Sequence, residues 1–224
     1  VALPGHVLLP GLVNAHVHNP MTLMRGLADD LPLMTWLNQH IWPTEARFIG
    51  PDFVRDGVEL AIAEMLRGGT TCCNENYFFP DVIAATYRRH RFRAVVGLPV
   101  IDFPTAWADD DDAYFGKALA LHDELRGDPL VSTAFAPHAP YTVKDASLER
   151  IRLLSDQLGI PVHMHVHETA HEVEEARRAQ GVRPLARLQD TIVRVDESGD
   201  CTLRANLPGQ DEVGRTATAF DRMM

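Results

Sequence analysis

Three cysteines in 224 residues, two of them adjacent (Cys72 and Cys73) and the third at Cys201, make neither a disulfide framework nor a CxxC metal site. Reduced thiols follow, with Cys72 and Cys73 expected in a buried strand. Basic charge is scarce as well: 21 Lys and Arg face 31 Asp and Glu, for a formal net charge of −10. That balance excludes nucleic acid and anionic membrane as partners, since both need a basic surface. No apolar run reaches membrane-spanning length, and the opening VALPGHVLLPG lacks the basic head and long apolar stretch of a secretory signal. A cytoplasmic protein acting on a small molecule is the expectation. No GxGxxG follows the first apolar segment, so a dinucleotide-binding fold has no support.

What the chain does have is 46% apolar content and two alternating textures. Short apolar or β-branched runs, HVLLPGLVNAHVH, TTCCNEN, FRAVVGLPV, LVSTAFAPHAP and IPVHMHVHE, have the length of strands. Helical spacing fills the intervals, over residues 51–69, 80–90, 113–126 and 145–158. The first of these enters at Pro51 and Asp52 and stops at Gly68 and Gly69. Nearly continuous apolar strands alternating with helices predict an α/β protein with a parallel sheet.

Polar residues gather at the ends of successive strands: His16 and His18, then Asn74 and Glu75, then His138, then His165, His167 and Glu168. A (β/α) TIM-like barrel places its active site there, and that distribution favours the barrel over an open sheet. His16 and His18 are two residues apart, so in an extended chain their imidazoles share one face. HMHVHET, residues 163–169, offers a second histidine-rich strand end, and such nitrogen sets suit borderline cations such as zinc.

The segments LLPGLVNAHVHNPMTLMRGLADDLPLMTWLNQHIWPTEARF, AIAEMLRGGTTCCNENYFFP, FAPHAPYTV and IPVHMHVHETAHEVE resemble the amidohydrolase superfamily of metallo-dependent hydrolases. Within it they are most similar to the 5-methylthioadenosine/S-adenosylhomocysteine deaminases, over residues 3–189. The resemblance implies that His16, His18 and His165 are metal ligands and that Glu168 contacts the purine and shuttles protons. It implies further that Glu45 holds the ribose hydroxyls and that His138 is a second substrate contact. Members with two metals carry a bridging lysine on the fourth strand. LVSTAFAP has none, so one divalent ion, zinc by preference, is expected. The implied reaction is hydrolytic deamination of an adenine nucleoside, with metal-activated hydroxide attacking the amine-bearing ring carbon. Glu168 suits the accompanying proton transfer, and it also suits a plain helix N-terminus, since ETAHEVEEARRAQG reads as a helix. Glu45 on pattern alone is a solvated loop charge, and His138 a turn histidine.

Several features receive the plainer reading. Residues 109–112, all aspartate, form a solvated loop and not a calcium site, because EF-hand spacing is missing. Met21, Met24, Met34 and Trp36 are assigned to core packing before any apolar pocket. His163, His167 and His171 are extra imidazoles near the site, one of them a candidate to support a ligand and the others expected to pack or face solvent.

The departures matter too. An eighth-strand aspartate and a sixth-strand histidine of the family are not found, and five strand segments are visible where a closed barrel needs eight. The expectation is therefore an incomplete barrel over residues 1–189, followed by a tail, 190–224, that is either a β-hairpin or disordered. Open strand edges invite a homo-oligomer. Weak or no activity is expected of such a chain. The alternatives are a non-catalytic metal-binding fragment, or an amidohydrolase acting on a different nitrogen heterocycle. No arginine lies between residues 101 and 125 to clamp a homocysteine carboxylate, which favours methylthioadenosine or adenosine-like substrates.

Overall fold

A computed structural model describes residues 4–186 of the chain. The chain divides into two compact units, Val1–Met164 and His165–Met224. The expected boundary at residue 189 and the tail beyond it lie outside the described residues.

The first unit is a parallel sheet of four strands in the order β1-β2-β3-β4. The strands are β1 (Leu12–Val17), β2 (Thr70–Glu75), β3 (Arg93–Val100) and β4 (Val131–Pro137). Each strand lies beside its predecessor, without the reversal of order that marks a doubly wound sheet, so the run follows barrel order. The fifth apolar segment, expected as a strand, forms none among the described residues and continues that order only through an isolated parallel bridge between Phe135 and Val162. Phe135 N donates to Pro161 O and His163 N to Phe135 O, both at 2.8 Å.

Helices fill the connections. Between β1 and β2 lie α1 (Leu33–Trp36), α2 (Trp42–Phe48) and α3 (Pro51–Arg67), and a wider helical turn, Leu37–Ile41, joins the first two. Further along come α4 (Pro80–Arg89), α5 (Asp111–Glu124) and α6 (Asp145–Leu158). Pro51 sits in the first turn of α3, where its missing N–H costs no bond, and Gly69 closes the helix at φ +83°. Val54, Val58, Ala61 and Ile62 of α3 are buried against the sheet.

Two expectations are corrected here. The aspartates of residues 109–112 are largely solvent-exposed, as expected, but only in part a loop: the Asp110 side chain accepts from Ala113 N at 2.8 Å, and Asp111 and Asp112 open α5. Carboxylates are favoured at that end of a helix, where backbone N–H groups lack partners. Glu45 is not in a loop either, since WPTEARF is α2 with its proline in the first turn.

Burial is uneven across the sheet. Val96, Leu98 and Val100 of β3 and Phe135 of β4 are fully enclosed, as expected where helices cover a parallel sheet. Of the two adjacent cysteines, Cys73 is buried and Cys72 half-buried. β1 is the exposed side, with Leu12 at 61% and Val13 at 67% exposure.

In the second unit, α7 (Ala170–Gln180) starts with a reciprocal cap. Thr169 Oγ1 accepts from Glu172 N at 3.0 Å, and the Glu172 carboxylate accepts from the backbone N–H of His167 and of Glu168, at 3.1 and 2.7 Å. Thr-x-x-Glu spacing produces this arrangement. Gly181, at φ +74°, ends the helix.

Candidate functional site

The site of the first unit is assembled at the C-terminal ends of β1, β2 and β4. Pairing between β1 and β2 shifts register between Asn14 and Val17, so the strand is irregular where it presents His16. Irregularities of this kind re-aim side chains beside active sites. The His16 and His18 rings meet edge to face with centroids 4.8 Å apart, as their spacing predicts. His163 joins them from beyond the bridge on β4, its Nε2 lying 2.8 Å from His16 Nδ1. Of the three extra imidazoles, His163 is therefore the direct neighbour of His16.

His18 Nδ1 donates to the backbone carbonyl of Asn76. A carbonyl can only accept, so Nδ1 carries the proton, and in the neutral ring the lone pair is on Nε2. Metal-binding histidines are prepared in this way, one ring nitrogen tied to a backbone acceptor and the other available to the ion. Imidazole nitrogens crowded at one point, one ring having its proton placed on Nδ1 by a backbone acceptor, fit a zinc ion.

Around this cluster lie two carboxyl groups. Glu45, half-buried, accepts a 2.6 Å bond from Tyr77 Oη. Burial pushes its pKa up, and the Tyr77 bond partly offsets the rise. Tyr77 is itself buried, with its ring centroid 6.4 Å from that of His18, so α2 is linked to the end of β2 beside the histidines. Burial and the neighbouring Glu45 charge raise the Tyr77 hydroxyl as well.

Glu75 is the second carboxyl, and it is fully buried at the last position of β2. Its oxygens accept from Asn19 N at 3.0 and 3.2 Å and from Tyr87 Oη at 2.9 Å. Burial raises its pKa to about 8, against the lowering effect of these bonds. In the sequence Glu75 looked like one polar residue among several at a strand end. Its partners are 56 and 12 residues away, so only its position at the end of an apolar run signalled it.

His138 follows β4 at the same end of the sheet. Its backbone N–H donates to Val100 O at 3.2 Å, and its Nδ1 lies 2.9 Å from Thr142 Oγ1. A cleft of about 380 Å³ opens beside His18 and is lined by Asn19, Met21, Met24, Trp36 and Ile41. Met21, Met24 and Trp36 thus shape a cavity wall; Met24 is buried and Met21 packs against the core, whereas Trp36 is half-buried outside it and Met34 is exposed. The cleft's volume falls within the range of small-molecule sites, and its lining mixes these apolar side chains with His18, Thr22, Arg25 and Asp29.

His165 and Glu168 belong to the second unit. Both precede α7, with Glu168 immediately before the Thr169 cap. His167 takes a left-handed backbone at φ +61°, and its Nε2 accepts from Leu185 N at 3.1 Å.

A model of the amidohydrolase family matches residues 7–200. The chain belongs to the amidohydrolase family. The match runs past residue 189, where the resemblance was expected to end, and overlaps a match to the HAMP domain over residues 178–224. A 5-methylthioadenosine/S-adenosylhomocysteine deaminase from Teredinibacter turnerae is 52% identical over 190 residues, 85% of this amidohydrolase and 43% of the relative. Among solved structures, an adenosine deaminase from Xanthomonas campestris with bound zinc is 70% identical, with a TM-score of 0.80, over 81% of this chain and 41% of that one. A zinc-bound atrazine chlorohydrolase from Arthrobacter aurescens shares the fold at 20% identity, with a TM-score of 0.73 over 81% of this chain and 46% of that one. The amidohydrolase chain therefore spans less than half the length of these relatives.

Proposed function

We propose that this chain carries the metal-binding and nucleoside-binding residues of a zinc-dependent aminohydrolase acting on adenine nucleosides, of the 5-methylthioadenosine/S-adenosylhomocysteine type. The observation that carries the reading is the bond from His18 Nδ1 to the Asn76 carbonyl, which leaves Nε2 as the lone-pair nitrogen in a cluster with His16. His165 is assigned as the third ligand by its match to the family motif. The names of the relatives support the nucleoside, and the zinc in the 70% identical structure supports the metal. A zinc ion, when bound, supplies Lewis acidity and a nucleophile at neutral pH.

The chain's own groups divide the remaining work. Glu45 accepts hydroxyl hydrogen bonds from the ribose, held in place by Tyr77. Met21, Met24 and Trp36 offer an apolar wall to a thioether or a purine. Glu168 delivers a proton to the purine ring nitrogen as the amine-bearing carbon is attacked, and His138 makes a second contact to the substrate.

The test is to measure zinc stoichiometry and the adenine-to-hypoxanthine absorbance change on the full chain with 5-methylthioadenosine. One zinc per chain, lost in His16→Ala, together with conversion lost in Glu168→Gln, supports the reading. Zinc binding without conversion favours a non-catalytic metal-binding chain, and conversion unaffected by Glu168→Gln overturns the role given to that residue.

A further inference from the structure

We propose that Glu75 is a positioning residue that holds the end of β1 so that His18 presents its lone-pair nitrogen. The inference rests on the reading of His16 and His18 as metal ligands.

A carboxyl group enclosed completely by protein is costly, and an apolar side chain of similar size would fill the same space without that cost. What an apolar residue could not do is accept the backbone N–H of Asn19, the residue that follows His18. Both Glu75 oxygens are within reach of that N–H, at 3.0 and 3.2 Å. The Asn19 side chain closes a ring around the carboxyl. Its Nδ2 donates to Tyr87 Oη at 2.6 Å, Cys73 Sγ donates to the same oxygen at 3.2 Å, and Tyr87 Oη donates to Glu75. With Glu75 ionised, each of these donors meets an acceptor, the condition under which buried polar groups fix one geometry.

Three consecutive residues of the β1 end are thereby tied to two consecutive residues of the β2 end. Val17 O accepts from Asn76 N at 3.0 Å, His18 Nδ1 donates to Asn76 O, and Asn19 N donates to the Glu75 carboxyl. The middle bond sets the tautomer of His18. It forms only if the strand ends stay in register, and the outer bonds on either side keep them so. The register shift between Asn14 and Val17 means that the regular ladder is interrupted there. The clamp holds His18 and Asn19, just past the point where the ladder resumes at Val17 and Glu75 and ends.

The experiment is nitrogen-15 NMR of the imidazoles in the metal-free full chain, which reads the protonated ring nitrogen of His18, together with zinc titration. In the unchanged chain and in Glu75→Gln, which keeps an oxygen acceptor for Asn19 N, His18 holds its proton on Nδ1. In Glu75→Leu the two tautomers mix and zinc affinity falls about 10-fold or more, the size of effect seen when groups supporting a metal ligand are removed. Tyr87→Phe, a milder change, moves both readouts in the same direction and decides the matter if Glu75→Leu does not fold. Val96→Ala, a buried control on β3, lowers the melting temperature and moves neither readout. An unchanged His18 tautomer in Tyr87→Phe and in folded Glu75→Leu overturns the proposal, as does an equal shift in Val96→Ala. An unchanged chain that keeps the Nδ1 proton but binds no zinc overturns the metal reading and leaves the positioning role standing.

Discussion

Tyr77, just past the end of β2, donates its hydroxyl to Glu45 on α2 across 32 residues of sequence. The bond gives a half-buried carboxylate a defined direction. Burial raises the Glu45 pKa, and this bond holds the rise down. Tyr77→Phe removes the restraint. The expected outcome is a further upward shift of the Glu45 titration, followed by carbon-13 NMR of its carboxyl group. In nucleoside binding the loss of an orienting bond to a charged group corresponds to about 10-fold in Kd.

The Glu75 carboxyl predicts an unusual pH profile. Its pKa in the folded chain is pushed up to about 8 from an ordinary value of 4.5. Between those values the folded state keeps a proton that the unfolded state has released, so stability falls as pH rises. Below the ordinary value both states are protonated and the contribution is fully present. Thermal melts of the metal-free chain should show Tm declining across this window, and Glu75→Gln should flatten the decline.

Zinc should stabilise the fold through the histidines. An ion that binds the folded state alone adds about 2.7 kcal/mol when present at 100 times its Kd. Melting with and without a chelator measures the difference, which should vanish in His18→Ala. A persisting zinc effect in that variant would place the ion elsewhere.

Gly57→Ala tests the packing of α3. An added Cβ would sit 2.5 Å from Pro20 O and 2.7 Å from Pro20 Cα, a contact with rigid backbone. Alanine would otherwise favour a helix interior by roughly 0.5–1 kcal/mol over glycine. Overpacking costs about 1–3 kcal/mol, so the net change is destabilising, as read by urea unfolding.

Much of the fold was legible because its signals are local. Proline at an entry and glycine at an exit bound α3, and the spacing of His16 and His18 alone brings their rings together. What the sequence hid depends on distant partners or on local chemistry with two readings. Trp-Pro before Glu45 reads as a helix breaker, yet proline is accommodated in a first turn, and α2 begins there. The aspartate run reads as a loop until Asp110 is seen to cap α5. The register shift in β1 has no residue signature, and the role of Glu75 appears only when Asn19 and Tyr87 are brought to it.

The contact between Gly57 and Pro20 ties the middle of a 17-residue helix to the chain two positions after a candidate ligand. With no side chain in between, there is no compliant layer to absorb movement. The helix acts as a strut, so pressure applied to its outer surface would be relayed to the histidine end of the sheet.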